Sequence, residues 1–174
     1  LDAGRARLEL APLDLHALVD ETLAVIRPEC EQAGITLHNE IDPLAGPVLA
    51  DSDRITQVLL NLLDNARRHT PAGGTIVVGA QAVDKMLRVS IGDSGTGIDA
   101  ADLPYIFERF YRVDRARTAS AGGSGLGLSI VKAIITAHGG TISAESEPGQ
   151  GTRIYFSLPL VTSGVPTSSG YVSA

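Results

Sequence analysis

Three stretches of this chain carry residue types that could handle a charged ligand. In "QVLLNLLDNARRHT", Asn61, Asn65 and His69 recur at i, i+4 and i+8, and Arg68 follows Asn65 at i+3. That spacing places them along one edge of a helix, with the leucines opposite. An amide oxygen is a neutral ligand suited to a hard cation such as Mg²⁺, which takes few protein ligands and relies on phosphates and water. The alternative is that both amides face solvent. In "IGDSGTGI", Asp93 ends a strand-like run and Gly95 and Gly97 follow. A carboxylate accepts from an amine, and the glycines let backbone approach a flat ligand. The alternative is an ordinary turn. In "GGSGLGLSIVK", glycines 122, 123, 125 and 127 precede a helical pattern whose start offers free N–H groups and a positive dipole end to phosphate. The spacing excludes both familiar phosphate loops. No G-x-x-x-x-G-K-[ST] run exists, and a dinucleotide fingerprint would need a third glycine at Leu128. "HGG" and "PGQGT" add two further glycine clusters, readable as a cap and a hairpin turn.

The surrounding pattern supplies the elements that would hold these residues. Asp14 reads as the N-cap of a helix with Leu15, Leu18, Val19, Thr22, Leu23 and Ile26 on one face. Pro28 is expected to kink it and Gly34 to end it. "ITLHNEI" and "GPVLAD" read as strands. A long helix from Ser52 carries Ile55, Val58, Leu59, Leu62, Leu63 and Ala66 inward. "GTIVVGAQAV" and "KMLRVSIGD" read as two more strands. The stretch 94–123 is a long loop of the kind that carries function. Leu126–His138 reads as a helix with Ile130, Val131, Ile134 and Ile135 as its stripe, capped by Gly139, and "GTISAES" and "GTRIYFSLPL" as a closing hairpin. Strands in neighbouring pairs predict a mixed sheet covered on one face by helices. Residues 1–13 read as a connector, 14–160 as the domain, and 161–174 as a disordered tail.

Composition narrows the classes. The chain has 174 residues, 44% of them hydrophobic, enough for one domain with a real core. A formal charge of −6 argues against a nucleic-acid partner. Basic residues nevertheless cluster, at Arg67 and Arg68 and in "RFYRVDRAR" with Arg109, Arg112, Arg115 and Arg117; they suit an anionic ligand, or else a solvated face. The single cysteine, Cys30, excludes an intrachain disulfide and fits a reducing compartment. No apolar run approaches the roughly 20 residues that span a bilayer. The chain starts without Met, as expected of a piece of something longer.

Taken in order, Asn-x-x-x-Asn, D-x-G-x-G, F-x-x-F, G-x-G-x-G and G-x-G-T make the chain resemble the catalytic ATP-binding domain of bacterial sensor histidine kinases. These share a superfamily with DNA gyrase B, Hsp90 and MutL. The resemblance spans about residues 14–160. It implies an α/β two-layer sandwich, a mixed β-sheet with three main helices on one face (the Bergerat ATP-binding fold). It implies ATP and Mg²⁺ as cofactors, with Asn65 as the metal ligand and Asn61 as the first Asn of that box. Arg68 would reach phosphate and His69 would pack beside the adenine. Asp93 would accept from the adenine amine in a pocket shaped by Gly95 and Gly97. Phe107 and Phe110 would anchor a mobile lid whose hinge and phosphate loop include Gly123, Gly125, Leu126 and Gly127. Thr152 would complete the adenine pocket. A lid arginine, Arg112 or Arg115, would close on the γ-phosphate.

One difference within the superfamily has a chemical consequence. The ATP-hydrolysing relatives carry Glu, a base for water, where this chain has Asn61, and an amide accepts no proton at neutral pH. Transfer to another nucleophile is expected in place of hydrolysis. That nucleophile is not in the chain: His16, His38, His69 and His138 lack the context of a phosphoacceptor, with His16 and His38 read as surface residues and His138 as structural. The expected partners are therefore the kinase's own dimerisation and phosphoacceptor domain, which would make the full protein a homodimer and this piece a monomer, and a response regulator. A cytoplasmic placement beside a bacterial inner membrane is expected. Thr96 stands where the family often has Pro. A gyrase- or Hsp90-like clamp, a nucleotide-sensing module without phosphotransfer, and a serine kinase acting on anti-sigma partners are the competing readings.

Overall fold

Asp14 opens the first helix, α1 (Leu15–Gln32), by accepting from the Ala17 N–H at 3.2 Å. The cap satisfies one of the backbone donors that every helix start leaves free. At the far end Gly34 N–H donates to Glu31 O and Ile35 N–H to Cys30 O, the paired bonds of a Schellman end. All six residues expected on its inner face are buried, and Cys30 joins them, its thiol pushed up by burial. The helix continues through Pro28 to Gln32. His38 is exposed as expected; His16 is half-buried, with Nδ1 2.7 Å from Ile41 O.

The structure, a computed structural model, describes residues 7–111 and 127–161. Helix α2 (Ser52–His69) buries the six residues that its spacing predicts. In α3 (Gly127–Ala137) the buried residues are Val131 and Ile135, with Leu128 and Ile134 packed beside them. Ile130, expected on the stripe, is 37% exposed. It lies one residue off the i, i+4 line through Val131 and Ile135, on the flank toward solvent.

The strands are β1 (Ala11–Leu13), β2 (Thr36–Asn39), β3 (Val48–Ala50), β4 (Thr75–Val83), β5 (Met86–Asp93), β6 (Ile142–Glu147) and β7 (Gly151–Pro159). The main sheet runs β2-β4-β5-β7-β6, with β2 parallel to β4 and all other pairs antiparallel. It is the mixed sheet that the paired strands imply. One expectation fails. Ala11–Leu13, read as connector, pairs antiparallel with β3, and "GPVLAD" therefore leaves the main sheet. The reason is burial. Val48 and Ala50 lie inside, a bridge joins Val48 to Leu160 beyond β7, and the edge of β3 needs a hydrogen-bonding partner. Three residues with no clear alternation are too few to read as a strand from sequence.

Register organises the core. Leu87 pairs with Leu158; Val89 with Phe156, which pairs with Ile142; and Ile91 with Ile154, which pairs with Ala144. These rows lie under the helices on one face of the sheet, since side chains alternate with period 2. One row further the chemistry changes. Leu37 pairs with Ile76, Ile76 with Asp93, Asp93 with Thr152, and Thr152 with Ser146. The buried face thus ends in three adjacent polar residues on β5, β7 and β6.

The helices are locked to one another at Asp51. Its Oδ1 accepts from Asp53 and Arg54 N–H as the N-cap of α2, and its Oδ2 accepts from Glu9 N–H. Its own N–H donates to His138 Nε2 at 3.1 Å. His138 Nδ1 lies 2.8 Å from Ile134 O, so both partners require the neutral Nδ1–H tautomer. The Glu9 N–H bond leads the interactions that hold the Asp51 carboxyl below the usual Asp range, with those from Arg54 and Asp53 adding to it. A depressed folded-state pKa gives stability that is present above about pH 4 and lost as the pH falls through the folded value. Asp51→Ala is expected to lower stability by about 1–2 kcal/mol at pH 7, as a lost N-cap does. Urea unfolding of both proteins should show the difference shrinking below about pH 4.

Candidate functional site

The polar row at the end of the buried face is one wall of the site. Asp93 Oδ1 accepts from Gly95 N–H at 2.9 Å and from Thr152 N–H at 3.3 Å. Among the described residues its Oδ2 has no donor. Burial pushes the Asp93 carboxyl above the usual Asp range, against those two N–H bonds and the nearby His69. A desolvated carboxylate with one oxygen committed and one open suits an amine-bearing ligand.

The loop after β5 is pressed against α2 and the β6–β7 hairpin. Thr96 N–H donates to His69 O at 3.2 Å, and Gly149 N–H donates to Thr96 O at 2.8 Å. A Cβ on Gly95 would come within 2.3 Å of His69 O. Gly97 combines a φ of +75° with a position where a Cβ would lie 2.1 Å from Glu147 O. Both glycines are therefore demanded by close backbone packing, and the turn is more than generic. Thr96 occupies its position with its N–H and C=O both engaged.

The second wall is the outer edge of α2. Asn61 and Asn65 are half-buried and Arg68 and His69 exposed. Asn61 Nδ2 donates to Gly127 O at 3.5 Å, linking α2 to the first residue of α3. The Asn65 amide makes no hydrogen bond among the described residues. Arg68 Nε lies 3.0 Å from Asp64 Oδ2, while Arg67 bonds Asp64 Oδ1 at 2.7 Å and reaches Glu29 on α1 at 3.3 Å. The adjacent arginines thus diverge, and Arg67 becomes part of the fold. The Arg68–Asp64 pair is partly exposed, and such pairs contribute about 0–1 kcal/mol.

The structure brings Asp93, Gly95, Gly97 and Thr152 together, with the His69 backbone against them. Phe107 is partly buried and packed against the core. Phe110 is 67% exposed with a φ of +63°. Arg112, Arg115, Gly123, Gly125 and Leu126 lie outside the described residues. Sequence reasoning missed Ser146, whose hydroxyl joins the row to the loop: Ile98 N–H donates to it at 2.7 Å. The available signal was the hairpin around "PGQG", which sets Ser146 opposite Thr152; no motif pointed to that serine.

The family described as histidine kinase-, DNA gyrase B-, and HSP90-like ATPase matches residues 50–162. The signal transduction histidine-protein kinase BaeS of Escherichia coli (strain K12) is 37% identical over 91% of this chain and 34% of its own length. The chain spans 18–34% of the length of the first curated relatives it matches. Among solved structures, the catalytic domain of histidine kinase ThkA has a TM-score of 0.77 and 31% identity, covering 88% of this chain and 97% of that one. ThkA has also been solved in complex with the response regulator protein TrrA, with a TM-score of 0.75, 30% identity and coverage of 92% and 45%. Full-length ShkA in complex with AMPPNP has a TM-score of 0.78 and 34% identity, covering 90% of this chain and 32% of that one.

The raised Asp93 pKa has a consequence for stability. A carboxyl whose folded pKa is raised contributes most when protonated, and that contribution is lost as the pH rises from about 4 through the folded value. Asp93→Asn keeps an acceptor oxygen without the buried charge. In the ligand-free protein it should be at least as stable as the parent at pH 7. Its advantage should be absent near pH 4 and grow above it, as thermal unfolding over that range would show.

Proposed function

Because the chain belongs to the histidine kinase-, DNA gyrase B-, and HSP90-like ATPase family, as the ATP-binding catalytic domain of a sensor histidine kinase, we propose that it binds Mg·ATP between the polar row and the edge of α2. The γ-phosphate then passes to a histidine on a separate dimerisation domain. The observation that carries this reading is Asp93: a desolvated carboxylate with an open oxygen, in register with Thr152 and facing the helix that carries Asn65. The carboxylate accepts from the adenine amine, and Thr152 completes that end of the pocket. His69, Gly95 and Gly97 flank the base, and Phe107 holds the start of the lid against the core. Arg68 leaves Asp64 for phosphate.

Asn65 fits a magnesium ligand in this reading. It supplies one neutral oxygen free of other bonds among the described residues, and the phosphates and water would supply the rest. Bound there, the ion would neutralise phosphate charge. We place Arg112 or Arg115 on the γ-phosphate, and Gly123, Gly125, Leu126 and Gly127 in the phosphate loop. Transfer makes a bond from phosphorus to the acceptor nitrogen as the bond to the ADP oxygen breaks. Asn61 favours transfer over hydrolysis: its amide donates to Gly127 O, a role closed to a carboxylate, and it cannot take a proton from water.

The full protein is then a homodimer through its phosphoacceptor domain. It passes phosphate to the aspartate of a response regulator, as the ThkA complex with TrrA supports. No described helix is long and apolar enough to cross a membrane. The kinase reading places this domain in the cytoplasm, with a membrane anchor elsewhere in the protein.

Calorimetric titration of the chain with a non-hydrolysable ATP analogue, with and without Mg²⁺, tests the reading. Binding that strengthens with Mg²⁺ is expected, and Asn65→Ala should remove the Mg²⁺ effect while leaving weak nucleotide binding. No binding at millimolar analogue would refute the proposal. An Mg²⁺ effect undiminished in Asn65→Ala would remove Asn65 from the metal site.

A further inference from the structure

Ser146 makes three hydrogen bonds, and their proton count is determinate. Its hydroxyl accepts from Ile98 N–H at 2.7 Å and lies 2.8 Å from Gly151 O and 2.9 Å from Thr152 Oγ1. A carbonyl only accepts, so the single Ser146 proton goes to Gly151 O. The contact with Thr152 must therefore be a bond that Thr152 donates. Thr152 is buried, its N–H is committed to Asp93 Oδ1, and its hydroxyl proton is now committed to Ser146. What its hydroxyl has left is lone pairs, on the residue that pairs directly with Asp93 across β5 and β7.

We infer that Ser146 is a specificity-determining residue: it makes the Thr152 hydroxyl a pure acceptor beside Asp93, so that this end of the pocket reads a base that presents an amine and rejects one that presents a carbonyl. Two acceptors side by side favour an amine donor, directly or through a water that both acceptors orient. A carbonyl oxygen in the same place would face lone pairs on both sides, and leaving buried polar groups unpaired is what makes such discrimination steep. Ser146 acts through Thr152 and touches no substrate; it is a positioning residue. Its bond to Ile98 N–H also ties the loop that carries Gly95 and Gly97 to the hairpin. The inference rests on the proposed role of Asp93 at the adenine.

The test is a selectivity ratio, which a merely structural role would not move. The chain, Ser146→Ala and Thr152→Val are each titrated calorimetrically with ATP, which carries a 6-amino group, and ITP, which carries a 6-oxo group, in Mg²⁺. The parent should prefer ATP. Ser146→Ala frees the Thr152 hydroxyl to donate, and the preference should fall by about tenfold, the value of one hydrogen bond in a binding ratio. Loss of affinity for both nucleotides by the same factor, with the ratio intact, would overturn the inference. If Ser146→Ala does not fold, Thr152→Val keeps the shape and removes the lone pairs, and an unchanged ratio there overturns it equally. A parent that binds ATP and ITP equally refutes the inference and leaves ATP binding standing. A parent that binds neither refutes the proposed function as well.

Discussion

A carboxylate at the end of a buried sheet face governs how the rest of this domain is arranged. Asp93 follows Leu87, Val89 and Ile91 on the covered side of β5, one row beyond the last apolar pair. An ionised group there loses hydration and must be compensated by donors. The donors come from backbone, Gly95 on its own loop and Thr152 on the neighbouring strand, and neither adds bulk. That choice forces the loop after β5 to fold back tightly, and the glycines follow from it. The second oxygen has no donor among the described residues, and beside a half-buried, partly desolvated group a hydrogen bond to a ligand counts for more than in water.

The helices position the site by sharing partners. Helix α2 carries the amides on its edge while its leucines bury on the opposite side, so the site and the core are two faces of one element. Its C-terminal end meets the loop after β5 at His69 O, and its N-terminal end is tied through Asp51 to His138 on the segment that closes α3. Asn61 adds a contact to Gly127. Helices α2 and α3 are therefore bonded to one another at both ends of α3, through His138 after its last turn and Gly127 at its first residue. The segment at Glu9 reaches the same Asp51, so the chain that enters the domain is bonded to the helix that carries the amides.

The divergence of Arg67 and Arg68 shows how adjacent identical residues acquire different work. A step of one residue turns the side chain by about a quarter of the helix circumference. Arg67 then faces α1 and bonds Glu29 and Asp64, while Arg68 lies on the exposed side of the helix with a partly exposed pair to Asp64. Charge patterning alone had marked both as one basic cluster.

Local pattern determined a good deal by itself. The inward faces of α1 and α2 follow from apolar spacing, the cap at Asp14 from a side chain that accepts from free N–H groups, and the mixed sheet from the pairing of strands. The order of the motifs identified the family, because five short boxes in sequence constrain more than any one of them. What remained was decided by contacts distant in sequence. The pairing of Ala11–Leu13 with β3 depends on an edge that exists only after the core forms. The exposure of Ile130 and Phe110 depends on what packs over them. The role of Ser146 depends on a register that brings residues 98, 146, 151 and 152 to one hydroxyl. A hydrogen-bond network of that kind has no period and no motif, and its chemistry comes into being only when the β6–β7 hairpin and the loop after β5 are side by side.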